Sequence, residues 1–460
     1  MKRLFGFTDW PDSPNRRIFR AAFVVALVGL LVKGVTALKE LAIARVFGRS
    51  DAIDSYLIAY LVPAFAVILL MGAFSSCVIP VIIHLRQEKG TEAAQRLFSS
   101  TLLLTLGTLA VLAIALGLGA PFFLRFLGSG FSAEKLQLTR YLFYWLLPFV
   151  LFSGLSTFAT SVLNARERFA LPACVALITP AVTIFLIAIC KPWGVLSLVA
   201  GTAGGSALEA IVLFGLLKTH GMQLIPKWYG FDSPLRRVLQ QMLPMVAGAF
   251  LMGGTAIVDQ SMAAMLLPGS VAALSYGNKA VGFIVAIGAT ALSTATLPYL
   301  SQMAARSDWQ GCRHTIKRYI SLVAVTTVPI MIGLMVFSRP LVSLLFQRGA
   351  FSSADTELVS HVQFCYAIQI PFYIGSILFV RFLHAMRRNE ILMCGSAINL
   401  VLDIILNLVL MKRFGVAGIA LSTSLVYLVS LAFLAISSIR ILHQRDAAEV
   451  NEISEPVAVL

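Results

Sequence analysis

Runs of about 20 apolar residues recur from one end of this chain to the other, and nothing else in it limits the possible folds so sharply. A helix of about 20 residues crosses the ~30 Å of hydrocarbon in a bilayer. Inside lipid the backbone must satisfy its own hydrogen bonds, so long apolar runs become helices. The runs predict 12 spans, at 18–44, 53–83, 97–118, 139–163, 172–190, 195–217, 238–266, 271–300, 315–337, 358–384, 391–411 and 416–440. The expected fold class is therefore an all-α polytopic membrane protein. Composition agrees: 12% of residues are charged, against about a quarter in ordinary soluble domains.

The net charge of +15 does not point to nucleic acid, because the basic residues lie in short loops between spans. Of the Lys and Arg in the loops and at the span ends, 23 fall on the side shared by the two termini and 10 on the other. That bias places both termini in the cytoplasm. Residues 1–17 read as a retained cytoplasmic leader rather than a cleavable signal, being too long and polar before the first span. The acidic segment 443–460 is expected to be a disordered cytoplasmic tail. The six cysteines are isolated and have no metal-ligand spacing, so they read as free thiols. No catalytic motif is present, and no loop is long enough for a soluble catalytic domain; an enzyme is not expected.

The chain repeats its own punctuation. Gly130-Phe-Ser, then Leu147-Pro148-Phe149, then Trp193-Gly194-Val195 are answered by Gly349-Ala-Phe-Ser, Ile370-Pro371-Phe372 and Phe414-Gly415-Val416, at a nearly constant offset. An even number of spans per half gives parallel repeats, which place a substrate site between the halves near mid-membrane. The expected organisation is a six-helix lobe at 18–220, a linker at 221–237 and a second six-helix lobe at 238–442, pseudo-symmetric about a central cavity.

Several ionisable residues fall inside spans, where a charge costs about 2.5–3.5 kcal/mol on insertion scales. Lys33 and Glu40 are two helical turns apart on one face, with Lys39 beside them. Lys279 opens the eighth span. Buried ammonium groups suit a phosphate or diphosphate as point charges. The alternative for Lys39, Glu40 and Arg45 is to reach the headgroups, or to pair with Asp54. Asn399, Asp403 and Asn407 form a polar stripe along the eleventh span, and Asp259 lies in the seventh. Such oxygens suit a hard cation such as Na⁺, or equally bind the helices together. Glu209, in the sixth span, has no evident partner and reads as structural or proton-linked.

The run Lys39-Glu40-Leu-Ala-Ile-Ala-Arg45-Val-Phe-Gly48, with Asp51, Asp54, Pro63, Gly72-Ala-Phe-Ser75 and Pro80, resembles the MviN/MurJ family of lipid II flippases. That family belongs to the multidrug/oligosaccharidyl-lipid/polysaccharide exporter superfamily. Asp259, Gly269-Ser270, Tyr276, Lys279 and Leu297-Pro298-Tyr-Leu-Ser301 extend the likeness, which covers most of the chain. The resemblance implies a flippase of the bacterial inner membrane. It would carry a polyprenyl-diphosphate-linked saccharide across by alternating access, with membrane lipids as surroundings, no nucleic acid partner and a monomer expected. It implies diphosphate binding by Lys33, Lys39 and Lys279, gating by Glu40, Arg45 and Asp54, and a cation site of Asp259, Asn399, Asp403 and Thr423. No cofactor is implied, and coupling to Na⁺ or H⁺ stays open. Two departures leave room for another cargo, such as an exopolysaccharide or O-antigen repeat unit. Where the family carries a charged cluster after Pro63, residues 64–71 are wholly apolar, and two further C-terminal helices of the family have no counterpart here. A cation-coupled drug exporter of the same superfamily would need acidic cavity residues in place of these lysines.

Overall fold

The computed structural model describes residues 14–230 and 233–454. Fourteen α-helices follow one another there, with no strand among the described residues. They are α1 (Pro14–Phe47), α2 (Asp51–Leu127), α3 (Ala133–Ala165), α4 (Ala170–Val175), α5 (Ile178–Ile189), α6 (Leu196–Thr219), α7 (Ser233–Ala263), α8 (Ser270–Ala305), α9 (Trp309–Val336), α10 (Ser338–Phe346), α11 (Ser353–Ala367), α12 (Gln369–Ala385), α13 (Asn389–Phe414) and α14 (Val416–Ser454). Among the described residues, nine helical stretches are long and apolar enough to cross a membrane. Their outward faces are apolar: Leu118 and Phe122 are 75% and 81% exposed. Faces of that kind are stable against lipid tails and not against water.

Every expected span has helix beneath it, although the joints differ. The second and third spans follow each other without a loop in α2, which is two helices meeting at a kink at Gly90, where φ is +80°. The fourth and fifth helices share one expected span, as do α11 and α12. The last helix runs on to Ser454, through most of the segment expected to be disordered; its final residues, 455–460, lie outside the described residues, as does most of the leader, 1–13. Of the linker, 231–232 is also outside them, and α7 already begins at Ser233.

Two compact units emerge. One comprises Met1–Ile43, Pro63–Gly119 and Leu142–Met245, and the other Ala44–Val62, Ala120–Tyr141 and Val246–Leu460. In the first unit α5 and α6 approach closely along small residues: a Cβ on Gly201 would stand 2.6 Å from Thr183 Cα, and one on Gly205 2.8 Å from Thr179 Cα. Small residues at such spacing are what let membrane helices pack backbone to backbone. The same stripe ends at Glu209, which accepts a 2.6 Å hydrogen bond from the Thr179 hydroxyl. The second unit takes in two segments from the first half of the chain, and that inclusion creates the site described next.

Candidate functional site

The fullest polar cluster lies in the second unit, where residues 44–55 and 128–135 meet 264–276 and 346–355. It is built on helix ends. The first turn of any helix leaves backbone N–H groups without partners, and α8 opens on Gly269, which has no side chain with which to cap it. The cap comes from α2 instead. Asp54 accepts from Gly269 N–H at 2.7 Å through Oδ2 and from Ala272 N–H at 2.8 Å through Oδ1. A carboxylate at a helix N-terminus is also favoured by the helix dipole. Asp54 is 1% exposed, and its counter-ion is Lys135 Nζ, 2.8 Å away and itself 2.5 Å from Asp51. Lys135 also lies 4.1 Å above the Phe131 ring.

A second ion pair lies nearby. Arg49 Nε donates to Asp355 Oδ1 at 2.8 Å, and Asp355 closes a capping box with Ser352 at the start of α11. Backbone contact completes the clasp. Ala350 N–H donates to the Arg45 carbonyl at 2.9 Å, and the Tyr276 hydroxyl donates to the Gly48 carbonyl at 3.0 Å. Gly48 and Gly349 both have positive φ, and a Cβ on either would collide with the opposing backbone, at Ala350 and Arg45 respectively. Glycine is therefore the residue that fits at both positions. Tyr276, Phe346 and Phe351 pack together behind them, with ring centroids 5.4–5.8 Å apart.

The expected gating residues fare differently. Asp54 stands at the centre of this cluster. Its ionic partner is Lys135 rather than Arg45, whose side chain is exposed and whose contribution is a main-chain carbonyl. Glu40 pairs with its neighbour Lys39 at 3.1 Å, in the other unit. Lys33, also in that unit, is exposed, while Lys279 is half-buried in α8 of the second unit. Sequence reasoning assigned no role to Arg49, Asp51, Lys135 or Asp355. The signal for two of them was available: Ser132 and Ser352 each precede a helix, and Lys135 and Asp355 follow them at the same spacing in the two repeats.

A second cluster lies deeper in the same unit. Asp259 on α7 accepts from Asn407 Nδ2 at 2.7 Å and from the Thr423 hydroxyl at 3.1 Å. Asp403 lies beside it, and among the described residues no hydrogen-bond donor reaches either Asp403 oxygen or Asn407 Oδ1, all of them buried. Two adjacent carboxylates in an apolar interior either share a proton or take a cation between them. Unpartnered carboxylate and amide oxygens are the donors a hard cation takes, so these residues fit Na⁺. Asn399, one turn from Asp403, donates its amide to Ser430 at 3.0 Å.

An all-helical membrane chain with ionisable groups buried in its spans, and a clasp of breakable polar contacts joining segments of its two halves, is a polytopic transport protein in its architecture. Comparison with known proteins narrows the class. The family model described as lipid II flippase MurJ matches residues 43–454. A probable lipid II flippase MurJ of Synechocystis is 28% identical over 429 residues, covering 89% of this chain and 79% of the relative. One from Thermotoga maritima is 28% identical over 419 residues, covering 89% and 83%. Among solved structures, a lipid II flippase MurJ in an inward closed conformation superposes with a TM-score of 0.78 at 22% identity, over 92% of this chain and 90% of that one. An inward-facing multidrug resistance MATE family transporter of the MOP superfamily gives 0.73 at 11% identity, over 93% and 99%. This chain belongs to the lipid II flippase MurJ family.

Proposed function

We propose that this protein is a flippase that carries a polyprenyl-diphosphate-linked saccharide, lipid II or a related cell-envelope precursor, across the bacterial inner membrane by alternating access. The observation that carries the mechanism is Asp54 capping α8. It ties a first-half helix to a second-half helix through two hydrogen bonds, a contact that can be broken without disturbing either helix. With both termini cytoplasmic, as the Lys/Arg bias favours, this clasp faces the outer side and closes it. Lys33, Lys39 and Lys279 are the cations this reading assigns to the diphosphate. Asp259, Asp403, Asn407 and Thr423 would hold Na⁺, whose charge would compensate the carboxylate pair, with Asn399 on the same stripe. A single chain suffices for this cycle.

The second reading, a flippase for an exopolysaccharide or O-antigen repeat unit, is favoured by the wholly apolar stretch at 64–71. Depletion of the protein in its host separates the two. Accumulation of lipid II on the cytoplasmic side supports the first, accumulation of another polyprenyl-linked saccharide supports the second, and accumulation of neither refutes both.

A further inference from the structure

A cleft in the first unit holds two arginines and no carboxylate. It forms where α2 breaks at Gly90: Arg86 stands on the stretch before the break, Thr91 and Gln95 on the stretch after it, and Arg166 closes the other side from the elbow following α3. Its floor is apolar, from Phe98 and Val162, and the cleft is shallow. Arg166 is held in place. Its main-chain N–H donates to Leu163 O, the next residue Glu167 takes a φ of +62°, and Nη1 donates to the carbonyl of His220 at 2.7 Å. The strap following α6 is pinned alongside, Gln95 donating to the carbonyl of Gln223 at 2.8 Å.

Two of the neighbouring acids are engaged elsewhere. Glu88 pairs with His84 at 3.2 Å, and Glu92 with Arg96 at 2.7 Å. Among the described residues neither Arg86 nor Arg166 meets a carboxylate. Partial burial, and then the charge of Arg86, hold the Arg166 guanidinium below its usual range. Two guanidiniums sharing an apolar-floored cleft repel each other, and an anion relieves that repulsion. Arginine's planar fork matches phosphate oxygens in pairs. On the orientation favoured by the Lys/Arg bias, the cleft lies at the cytoplasmic surface, where lipid phosphates are concentrated.

We propose that the Arg86–Arg166 cleft is a lipid-phosphate site, separate from the lysines assigned to the diphosphate, that takes the phosphate of an anionic phospholipid or of a polyprenyl diphosphate. The phospholipid source is independent of the flippase reading, and the polyprenyl source rests on it. Native mass spectrometry of the full chain in detergent tests this, with phosphatidylglycerol and polyprenyl diphosphate titrated separately onto wild type, Arg86→Gln, Arg166→Gln and Arg166→Lys. Loss of a charge-assisted phosphate contact should weaken binding about tenfold or more in the Gln variants, and Arg166→Lys should recover part of it. Weakening for phosphatidylglycerol identifies a headgroup site, and weakening for polyprenyl diphosphate alone identifies a carrier-lipid site. Unchanged binding of both lipids overturns the proposal. Should Arg166→Gln fail to fold for want of its His220 contact, the exposed Arg86 variant decides alone. Failure of the flippase reading shows separately, as the absence of any accumulated saccharide lipid on depletion.

Discussion

Asparagine at position 54 tests the clasp most directly. The carboxylate now accepts from two backbone N–H groups and from Lys135, at 2.7–2.8 Å, in a site 1% exposed. An amide keeps one oxygen, so its NH₂ faces either the Ala272 N–H or the Gly269 N–H together with the ammonium group, and in both orientations one of the two α8 bonds is lost. The other weakens, because hydrogen bonds to charged groups contribute about 1.5–3 kcal/mol and neutral ones about half of that. The Lys135 contact involves only first-half segments, so its loss applies whether α8 is held or released. Released and held states should therefore shift relative to each other by about 2–3 kcal/mol, which is roughly thirty- to a hundred-and-fiftyfold in equilibrium. Amide hydrogen exchange on the full-length protein reads this shift, since exchange of a protected amide follows the population of its open form. Peptides covering residues 266–276 should exchange faster by that factor in Asp54→Asn, while peptides from α13 keep their wild-type rates. An unchanged rate at 266–276 would refute the capping argument. Acceleration everywhere would mean that the variant loosens the whole fold and not the clasp.

Three further outcomes follow from the same geometry. Lys135→Met strips the counter-ion from a buried carboxylate and should destabilise the protein by about 3 kcal/mol, lowering its melting temperature, while Lys135→Arg retains most of the stability. Arg49→Gln and Asp355→Asn, alone and together, should show a coupling of about 1 kcal/mol in a double-mutant cycle read by thermal unfolding; strictly additive effects would argue against a functional pair. At a Na⁺ concentration ten times its dissociation constant, binding should stabilise the protein by about 1.4 kcal/mol over the same ionic strength of a large organic cation. Asp403→Asn should abolish that gain, and a wild type indifferent to Na⁺ would remove the cation from the scheme.

Much of the fold was legible because lipid imposes one rule on every span: enough apolar length and a self-satisfied backbone. The helices follow the hydropathy closely, and the two helices within α2 join without a loop because Gly90, at positive φ, permits the turn. The stripe at 399, 403 and 407 was visible for the same reason, since polar residues stand out against an apolar helix. Within it, the choice of partner was not visible: Asn407, not Asn399, reaches Asp259, and that depends on how α7, α13 and α14 cross. The ionic side of the clasp was hidden for a different reason. Arg49, Asp51, Lys135 and Asp355 lie at span ends, where charges are unremarkable in sequence and read as solvated. What gives them meaning is contact between residues 81 to 306 positions apart, which no periodicity records.

The repeat explains why the clasp is asymmetric in charge. Ser132 and Ser352 stand just before α3 and α11 and accept from the backbone N–H of Lys135 and Asp355, at 3.3 and 3.2 Å. One turn has thus been used twice, carrying a cation in one half and an acid in the other. Aspartate suits the first turn of a helix and lysine does not, because that end bears roughly half a positive charge. Lys135 is tolerated because Asp51 and Asp54, in the first turn of α2, both reach it. Asp54 in turn serves α8, so the positive ends of three helices and one ammonium group converge on two carboxylates. With roughly half a charge for each helix end, the cluster is close to neutral and can be buried when assembled. Its parts also divide cleanly. Lys135, Asp51 and Asp54 all lie in the first half of the chain and remain partnered if α8 withdraws, so what must be given up is the two Asp54 bonds to α8, the Ala350–Arg45 and Tyr276–Gly48 hydrogen bonds and the Arg49–Asp355 pair. A buried carboxylate that keeps its counter-ion through the cycle makes a clasp that both closes and releases, whereas a lone aspartate capping α8 would have to be stripped of all its partners each time it opened.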